Sequence, residues 1–332
     1  VSDLDKLRAE EREKEKVRTT VRTLKEAIGH IEKLETELEA VHRLHFARTP
    51  FSIKAKKSGR KSEATAVAVL SDVHIGNVIT LAQTNGINEY SVEIAKRRCT
   101  QFFERVVRLT NKERQDVHIG ELILVLNGDM IDGALHMDVI MSNEPSAPML
   151  QAVIAQNIIE AGLNYLREKG DFDRITIVAK DGNHGRTSTK QHWNSRIGNS
   201  LEWYMYYNLA ARYPDFNWVI EESFFTYLKV YDYMVRFHHG DTVFFGGQNG
   251  FYQNLHIRIN GNNAVINAQL DVLSHLHQYT PMRRYVVNGS VVGYSPYAMS
   301  LQSFNKGEPP TQAFFLIDRD RFTTVHIGIQ LT

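Results

Sequence analysis

The sequence predicts an α/β fold in which strands carry helices on both faces. Three observations predict it. Short continuous apolar runs recur at 66–71, 122–126, 175–179 and 234–237, the pattern of buried parallel strands. Stretches with helical character lie between them, near 92–113, 149–169 and 196–212. Each apolar run also ends in a polar, glycine-bearing loop. Beyond about 217 the chain is richer in aromatic and β-branched residues and closes with strand-like segments at 312–318 and 322–327. A more antiparallel second half is therefore expected.

The 332 residues are 42% hydrophobic and 23% charged, which supports a sizeable core and excludes a disordered chain. Lys+Arg (39) and Asp+Glu (38) cancel to a net charge of +1, so affinity for nucleic acid must come from a local patch. A single cysteine, Cys99, excludes a disulfide scaffold and an all-cysteine zinc site, and suits a reducing compartment. The first thirty residues hold no apolar signal segment, and no run approaches the ~18 apolar residues of a membrane span. A cytoplasmic protein without membrane contact is expected. The 14 histidines matter most, because histidine is both the commonest metal ligand and the commonest acid–base side chain.

In chain order, residues 1–46 come first, with no proline, one glycine and dense charge. Val17, Val21, Leu24, Ile28 and Ile31 step by 4, 3, 4 and 3, the seam of a coiled coil. Leu34, Leu38 and Val41 continue it after a stammer, and Gly29 inside the pattern costs about 1 kcal/mol relative to alanine. Such a helix needs a partner surface, either a second copy in a homodimer or a folded body to lie on. Residues 47–63 form a basic linker, with Arg48, Lys54, Lys56, Lys57, Arg60 and Lys61 against the lone acid Glu63. It is either a solvated tether or a strip that touches nucleic-acid phosphates. Residues 64–332 are the α/β domain.

Chemistry concentrates where the strands of that domain end. The first runs into Ser71-Asp72-Val73-His74, the second into Gly128-Asp129-Met130-Ile131-Asp132-Gly133, and the third into Gly182-Asn183-His184-Gly185-Arg186. His238-His239-Gly240-Asp241 follows the fourth, and Asp271-Val272-Leu273 leads into Ser274-His275-Leu276-His277. Loops at strand carboxyl ends converge on one site in open α/β sheets. Asp, Asn and His without Cys suit Mn²⁺, Fe, Zn²⁺ or Co²⁺, with manganese the expected ion. Seven or eight such side chains exceed the needs of one tetrahedral ion. They suit two divalent ions ~3.5–4 Å apart, bridged by a carboxylate. Alternation along an extended segment lets Asp72 and His74 grip one ion and lets His275 and His277 grip one each.

These motifs in this order, D-x-H, G-D-x-x-D, G-N-H, H-G and H-x-H, resemble the calcineurin-like metallophosphoesterase superfamily over about residues 64–330. The resemblance implies a four-layer α-β-β-α sandwich with a two-metal site at one edge. It implies that Asp72, His74 and His277 hold one ion, that Asn183, His239 and His275 hold the other, and that Asp129 bridges both. It further implies that His184 protonates the leaving oxygen and that Asp132 orients His184. Phosphoester hydrolysis needs those parts: charge neutralisation, a water made nucleophilic at neutral pH, and an acid for the leaving group.

Departures narrow the substrate. Gly133 stands where phosphoprotein phosphatases of the superfamily carry a phosphate-binding arginine, and Gly185 follows His184 where they carry glutamate. The segments LSDVHIG and NGDMIDG resemble the nuclease subunit of the double-strand-break repair complex and the small subunit of archaeal D-family DNA polymerase. Those relatives usually carry aspartate after G-N-H, and glycine where this chain has Ser274. Arg186 is a candidate phosphate-binding residue, with an exposed loop arginine as the alternative. Residues 246–252 read as a flap with aromatic tips at Phe251 and Tyr252, with a structural turn packed by Phe251 as the favoured alternative. The aromatic run Trp203, Tyr204, Tyr206 and Tyr207 is expected in the core.

The expected function is a two-metal phosphodiesterase or nuclease acting on DNA. A phosphomonoesterase, a small cyclic-nucleotide phosphodiesterase and a non-catalytic scaffold are the alternatives. Degenerate metal ligands would mark a scaffold, and none is degenerate here.

Overall fold

The computed structural model describes residues 3–46, 62–135, 137–190, 194, 196, 198–243, 250–300 and 307–332. Most of the expected basic linker and residues 246–249 of the expected flap lie outside the described residues. The chain divides into two units, residues 1–59 and 60–332. In the first, α1 (Asp3–Phe46) is one unbroken helix of 44 residues, continuous through Gly29. Asp3 and Asp5 in its first turn complement the helix dipole. Each expected seam residue from Val17 to Leu38 is at least 46% exposed.

The second unit is layered, and the burial of alternate residues shows why. One sheet runs β11-β10-β1-β2-β3-β4, with β1 (Ser62–Leu70), β2 (Val117–Asn127), β3 (Arg174–Lys180) and β4 (Asn217–Val219) parallel. The hairpin of β10 (Thr311–Asp318) and β11 (Phe322–Gln330) adds to it antiparallel, through β1. A second sheet runs β5-β6-β7-β9-β8. In it β6 (Tyr233–Phe237), β7 (Leu270–Leu273) and β9 (Tyr285–Val287) are parallel, while β5 (Thr226–Val230) and β8 (Thr280–Pro281) are antiparallel.

Along β1, Ala64, Ala66, Ala68 and Leu70 face one way, into a core with Phe102 and Phe103 of α2 (Val92–Glu113), Ile159 and Leu163 of α4 (Pro148–Lys169), and Met205 and Leu209 of α5 (Leu201–Arg212). Val67 and Val69 face the other way, between the sheets, against Val235, Phe237, Val272 and Val286. Leu273, Tyr285 and Val287 on the outer face of the second sheet pack on Leu255 and Ile259 of α6 (Gly250–Asn263). The order is therefore helices, sheet, sheet, helix, the four-layer α-β-β-α sandwich. Two short helices, α3 (Met137–Ser142) and α7 (Pro296–Ser300), sit in connections. Between α2 and α4 the approach is close, since a Cβ on Gly162 would lie 2.1 Å from the Phe103 ring.

Burial also fixes the register of the second sheet. Arg236 and Asp271 are cross-strand partners, joined by two hydrogen bonds of 2.7 and 2.9 Å with both side chains fully buried. A bidentate guanidinium–carboxylate pair satisfies charges that would otherwise be costly at that depth.

Three expectations are corrected. The third helix starts at Leu201 rather than near 196, because Ser200 caps it through Trp203 N and Gly198 before it adopts φ +79°. Of its aromatic run only Tyr206 is core, while Tyr204 and Tyr207 are exposed. The described end of the expected flap, 250–252, is the first turn of α6. Among the described residues no helix is long and apolar enough to cross a membrane.

Candidate metal centre

The strands β1, β2, β3, β6 and β7 deliver their polar loops to one edge of the sandwich. Backbone hydrogen bonds weave the first two together: Asp72 N donates to Gly128 O, His74 N to Asp129 O, and Asp132 N to Ile75 O, each at 3.0 Å. The geometry is strained. Asp72, His74, Asp129, His275 and His277 all have φ between 47° and 71°. That left-handed conformation costs a non-glycine residue about 1–2 kcal/mol, and such costs gather at functional sites.

Within this edge, seven side chains singled out in the sequence lie together. His74 donates from Nδ1 to Asp132 Oδ1 at 2.9 Å, so its Nε2 carries the lone pair. That atom lies 3.2 Å from His277 Nε2, and His277 Nε2 lies 3.2 Å from Asp72 Oδ1. Asp72 Oδ1 is buried, and among the described residues His277 Nε2 is the group that faces it. Its other oxygen accepts from Ser71 Oγ at 2.5 Å.

On the other side, His239 donates from Nδ1 to Asn127 O at 2.8 Å. Its Nε2 is 3.0 Å from Asp129 Oδ2 and 3.2 Å from Asn183 Oδ1. The His275 ring stands 5.1 Å from the His239 ring. Among the described residues three groups could hold an ion, and two of them lie here: Asp72, His74 and His277, and Asp129, His239 and His275. Lone pairs facing lone pairs at about 3 Å repel unless a cation or proton lies between them. The donor set therefore fits divalent ions, and Asn183 Oδ1 joins the second group without adding charge.

The same crowding shifts the titration of His239, His275 and Asp129. Burial alone would lower the pKa of His239, but the charge and hydrogen bond of Asp129 push it up to about 10. Burial and the neighbouring His239 push His275 down to about 4. Burial raises the Asp129 carboxyl, yet His239, His184 and His74 hold it well below the usual carboxylate range.

His184 is brought to the same place in a different way. Its N–H donates to Asp129 Oδ1 at 2.8 Å, and Nδ1 donates to the Asp132 backbone carbonyl at 2.9 Å. Its ring meets the His74 ring edge-on at 4.6 Å. Burial lowers its pKa, but the charges of Asp129 and Asp132 outweigh that and raise it. His184 also groups with His74 and Asp129 at ligand spacing.

Asp132 and Arg186 make further contacts. The Asp132 carboxylate hydrogen-bonds His74 and stands 3.7 Å from His184 Nδ1, and the Asp132 backbone carbonyl accepts from that same Nδ1. Arg186 donates to the carbonyls of Asn183, Ser188 and Thr189. Its guanidinium thus braces its own loop.

Sequence reasoning missed the residues that hold this edge. Asn127 donates from Nδ2 to His238 O and Ser274 Oγ, tying the two sheets together behind the centre. Gln151 of α4 accepts from Gly133 N at 2.8 Å. Glu202 of α5 is fully buried, and burial with the Asp129 charge pushes its pKa up to about 7. In sequence, an acid one residue into a helix looks like a dipole partner and nothing more.

No protein-family model matches the chain, and no curated protein does. Among solved structures, Vps29 of Entamoeba histolytica complexed with Zn²⁺ is similar at 10% identity and TM-score 0.34, over 80% of this chain and 99% of that one. Vacuolar protein sorting 29 of Cryptosporidium parvum is similar at 10% identity and TM-score 0.35, over 81% of this chain and 100% of that one. An uncharacterized Streptococcus pneumoniae protein, described as a predicted phosphoesterase, is similar at 10% identity and TM-score 0.29, over 82% of this chain and 99% of that one. The functional reading rests on the centre's own geometry.

Proposed function

We propose that the protein is a two-metal phosphoesterase of the calcineurin-like type, acting on phosphodiesters. One observation carries this: two sets of lone-pair donors converge on either side of Asp129, at spacings only cations or protons relieve. Two divalent ions bound there would neutralise phosphoryl charge and make a water nucleophilic at neutral pH. Asp72, His74 and His277 would hold one, Asn183, His239 and His275 the other, and Asp129 both.

The chain's own residues then do the remaining work. Asp132 and the Asn127 carbonyl fix the Nδ1–H tautomers of His74 and His239 and so aim Nε2 inward. With its Nδ1 proton given to the Asp132 carbonyl, His184 holds the transferable proton on Nε2, in reach of a leaving oxygen.

A diester is favoured over a monoester because no arginine clamp for a phosphate dianion faces the centre from the two expected positions. Gly133 has no side chain, and Arg186 is engaged by loop carbonyls. DNA is the proposed diester, with the basic residues of 47–63 as its contact, and the exposed seam of α1 is proposed to pair with a second copy. Manganese-loaded protein tested on bis-p-nitrophenyl phosphate, p-nitrophenyl phosphate and labelled single- and double-stranded DNA decides the matter. Hydrolysis of the diester and of DNA is expected. Hydrolysis of the monoester alone would overturn the diester assignment, and no hydrolysis would favour a scaffold.

A further inference from the structure

The fully buried carboxylate of Glu202 joins the two loops that carry Asp129 and Asn183. Oε1 accepts from Met130 N at 2.5 Å and from Ile131 N at 3.3 Å, and Oε2 accepts from Gly182 N at 2.7 Å. The first two donors follow Asp129 directly, and the third immediately precedes Asn183. These loops meet backbone to backbone: a Cβ on Gly182 would lie 2.3 Å from Asp129 N and 2.0 Å from Asp129 Oδ1. Asp129 Oδ1 links them once, by accepting from His184 N, and a helix packed behind them adds the second link.

The start of that helix is fitted to the task. Leu201 N donates to Gly185 O at 2.8 Å, and Arg186 pairs with Ser200 in an antiparallel bridge. This lays the segment after His184 along the helix entry. Gly185 then leaves the space that Glu202 fills, since a Cβ there would lie 2.7 Å from Glu202 Cγ and 2.9 Å from Cδ. Three N–H donors converge on two oxygens. A carboxylate accepts all three, whereas an amide would turn an NH₂ group towards one of them.

We infer that Glu202 is a positioning residue of the metal centre, holding Asp129 and Asn183 at the spacing that lets both reach the same ion. The inference rests on the two-metal reading above. Its local logic is independent of which phosphoester is cleaved. Asp129 sits at φ 52°, a conformation that needs outside support, and Glu202 binds the two amides that follow it. Supports of this kind typically change metal affinity 10–100-fold when lost.

The test is a calorimetric titration of the full chain with Mn²⁺, together with the electron paramagnetic resonance signal of exchange-coupled manganese pairs. Glu202→Gln should bind Mn²⁺ about tenfold more weakly and lose much of the coupled signal, with its circular dichroism unchanged. Gly185→Ala, whose methyl group would push on Glu202 Cγ, should lose affinity in the same direction by a smaller factor. It decides the question if Glu202→Gln does not fold. Affinity and coupled signal within twofold of the parent in the folded variants would overturn the inference, even if their melting temperatures fall. A parent protein that binds fewer than two ions would instead overturn the two-metal reading itself.

Discussion

Replacing Asp132 by asparagine separates two accounts of the same carboxylate. In the structure Asp132 Oδ1 accepts from His74 Nδ1 at 2.9 Å, with both side chains only 5% exposed, so solvent screens the interaction weakly. Asparagine can still offer an oxygen to Nδ1, but the hydrogen bond is no longer charge-assisted. A neutral hydrogen bond contributes about 1 kcal/mol and a charged one about 2, so about 1 kcal/mol of support for the His74 tautomer is lost. That corresponds to a five- to tenfold weaker grip on the ion held by Asp72, His74 and His277. The other ion should be unaffected, because His239 takes its orientation from the Asn127 carbonyl. His184 should keep its orientation, because it leans on the Asp132 backbone, which the substitution keeps, while losing the Asp132 charge that helps raise its pKa. Mn²⁺ calorimetry measures the two affinities, and a series of aryl and alkyl phosphodiesters measures the dependence on leaving group. Unchanged affinity with a steeper leaving-group dependence would refute this reasoning. It would restore the sequence expectation that Asp132 acts on His184.

The remaining predictions concern the acid, the core and a buried lysine. His184→Ala should keep both ions and most activity on p-nitrophenyl diesters, while turnover of alkyl diesters falls about a hundredfold or more. Loss of an ion would make His184 a ligand, consistent with its spacing to His74 and Asp129. Arg236→Met leaves Asp271 buried without its partner and should cost about 3–5 kcal/mol in urea denaturation. A cost below about 1 kcal/mol would contradict the pairing account. Burial pushes the Lys180 amine down to about 8 from 10.5. The folded state therefore releases this proton first, and stability rises with pH between about 8 and 10.5. Relative to Lys180→Met, the parent should gain up to about 3 kcal/mol across that window, and parallel stability–pH curves would refute the assignment.

Much of this centre is legible in the sequence because ligand chemistry is written next to strand chemistry. Asp72, Asp129, Asn183 and His239 each follow an apolar run by a few residues, so predicting the strand places the ligand. The buried strands are legible for the same reason, since both faces of β1 read as apolar. An apolar run does not tell a covering sheet from a covering helix, however, and the four layers come from the resemblance. What connects the ligands is less visible. Whether Asp132 serves His74 or His184 depends on the bridge between Ile75 and Ile131, a backbone pairing set by two loops in left-handed conformations. The role of Glu202 depends on a helix folding back on loops that precede it by 20 and 72 residues. Arg186 shows the same limit: its position beside His184 suggests a substrate contact, and the sequence does not reveal its hydrogen bonds to the carbonyls of its own loop. At the described end of the expected flap, Gly250 hid a helix start.

Anomalous diffraction from crystals of the manganese-loaded protein tests the central claim most directly. Two ions are predicted about 3.5–4 Å apart. One should contact Asp72, His74 and His277, the other Asn183, His239 and His275, and Asp129 should contact both. A single ion, or an ion liganded by His184 in place of Asn183, would contradict the account.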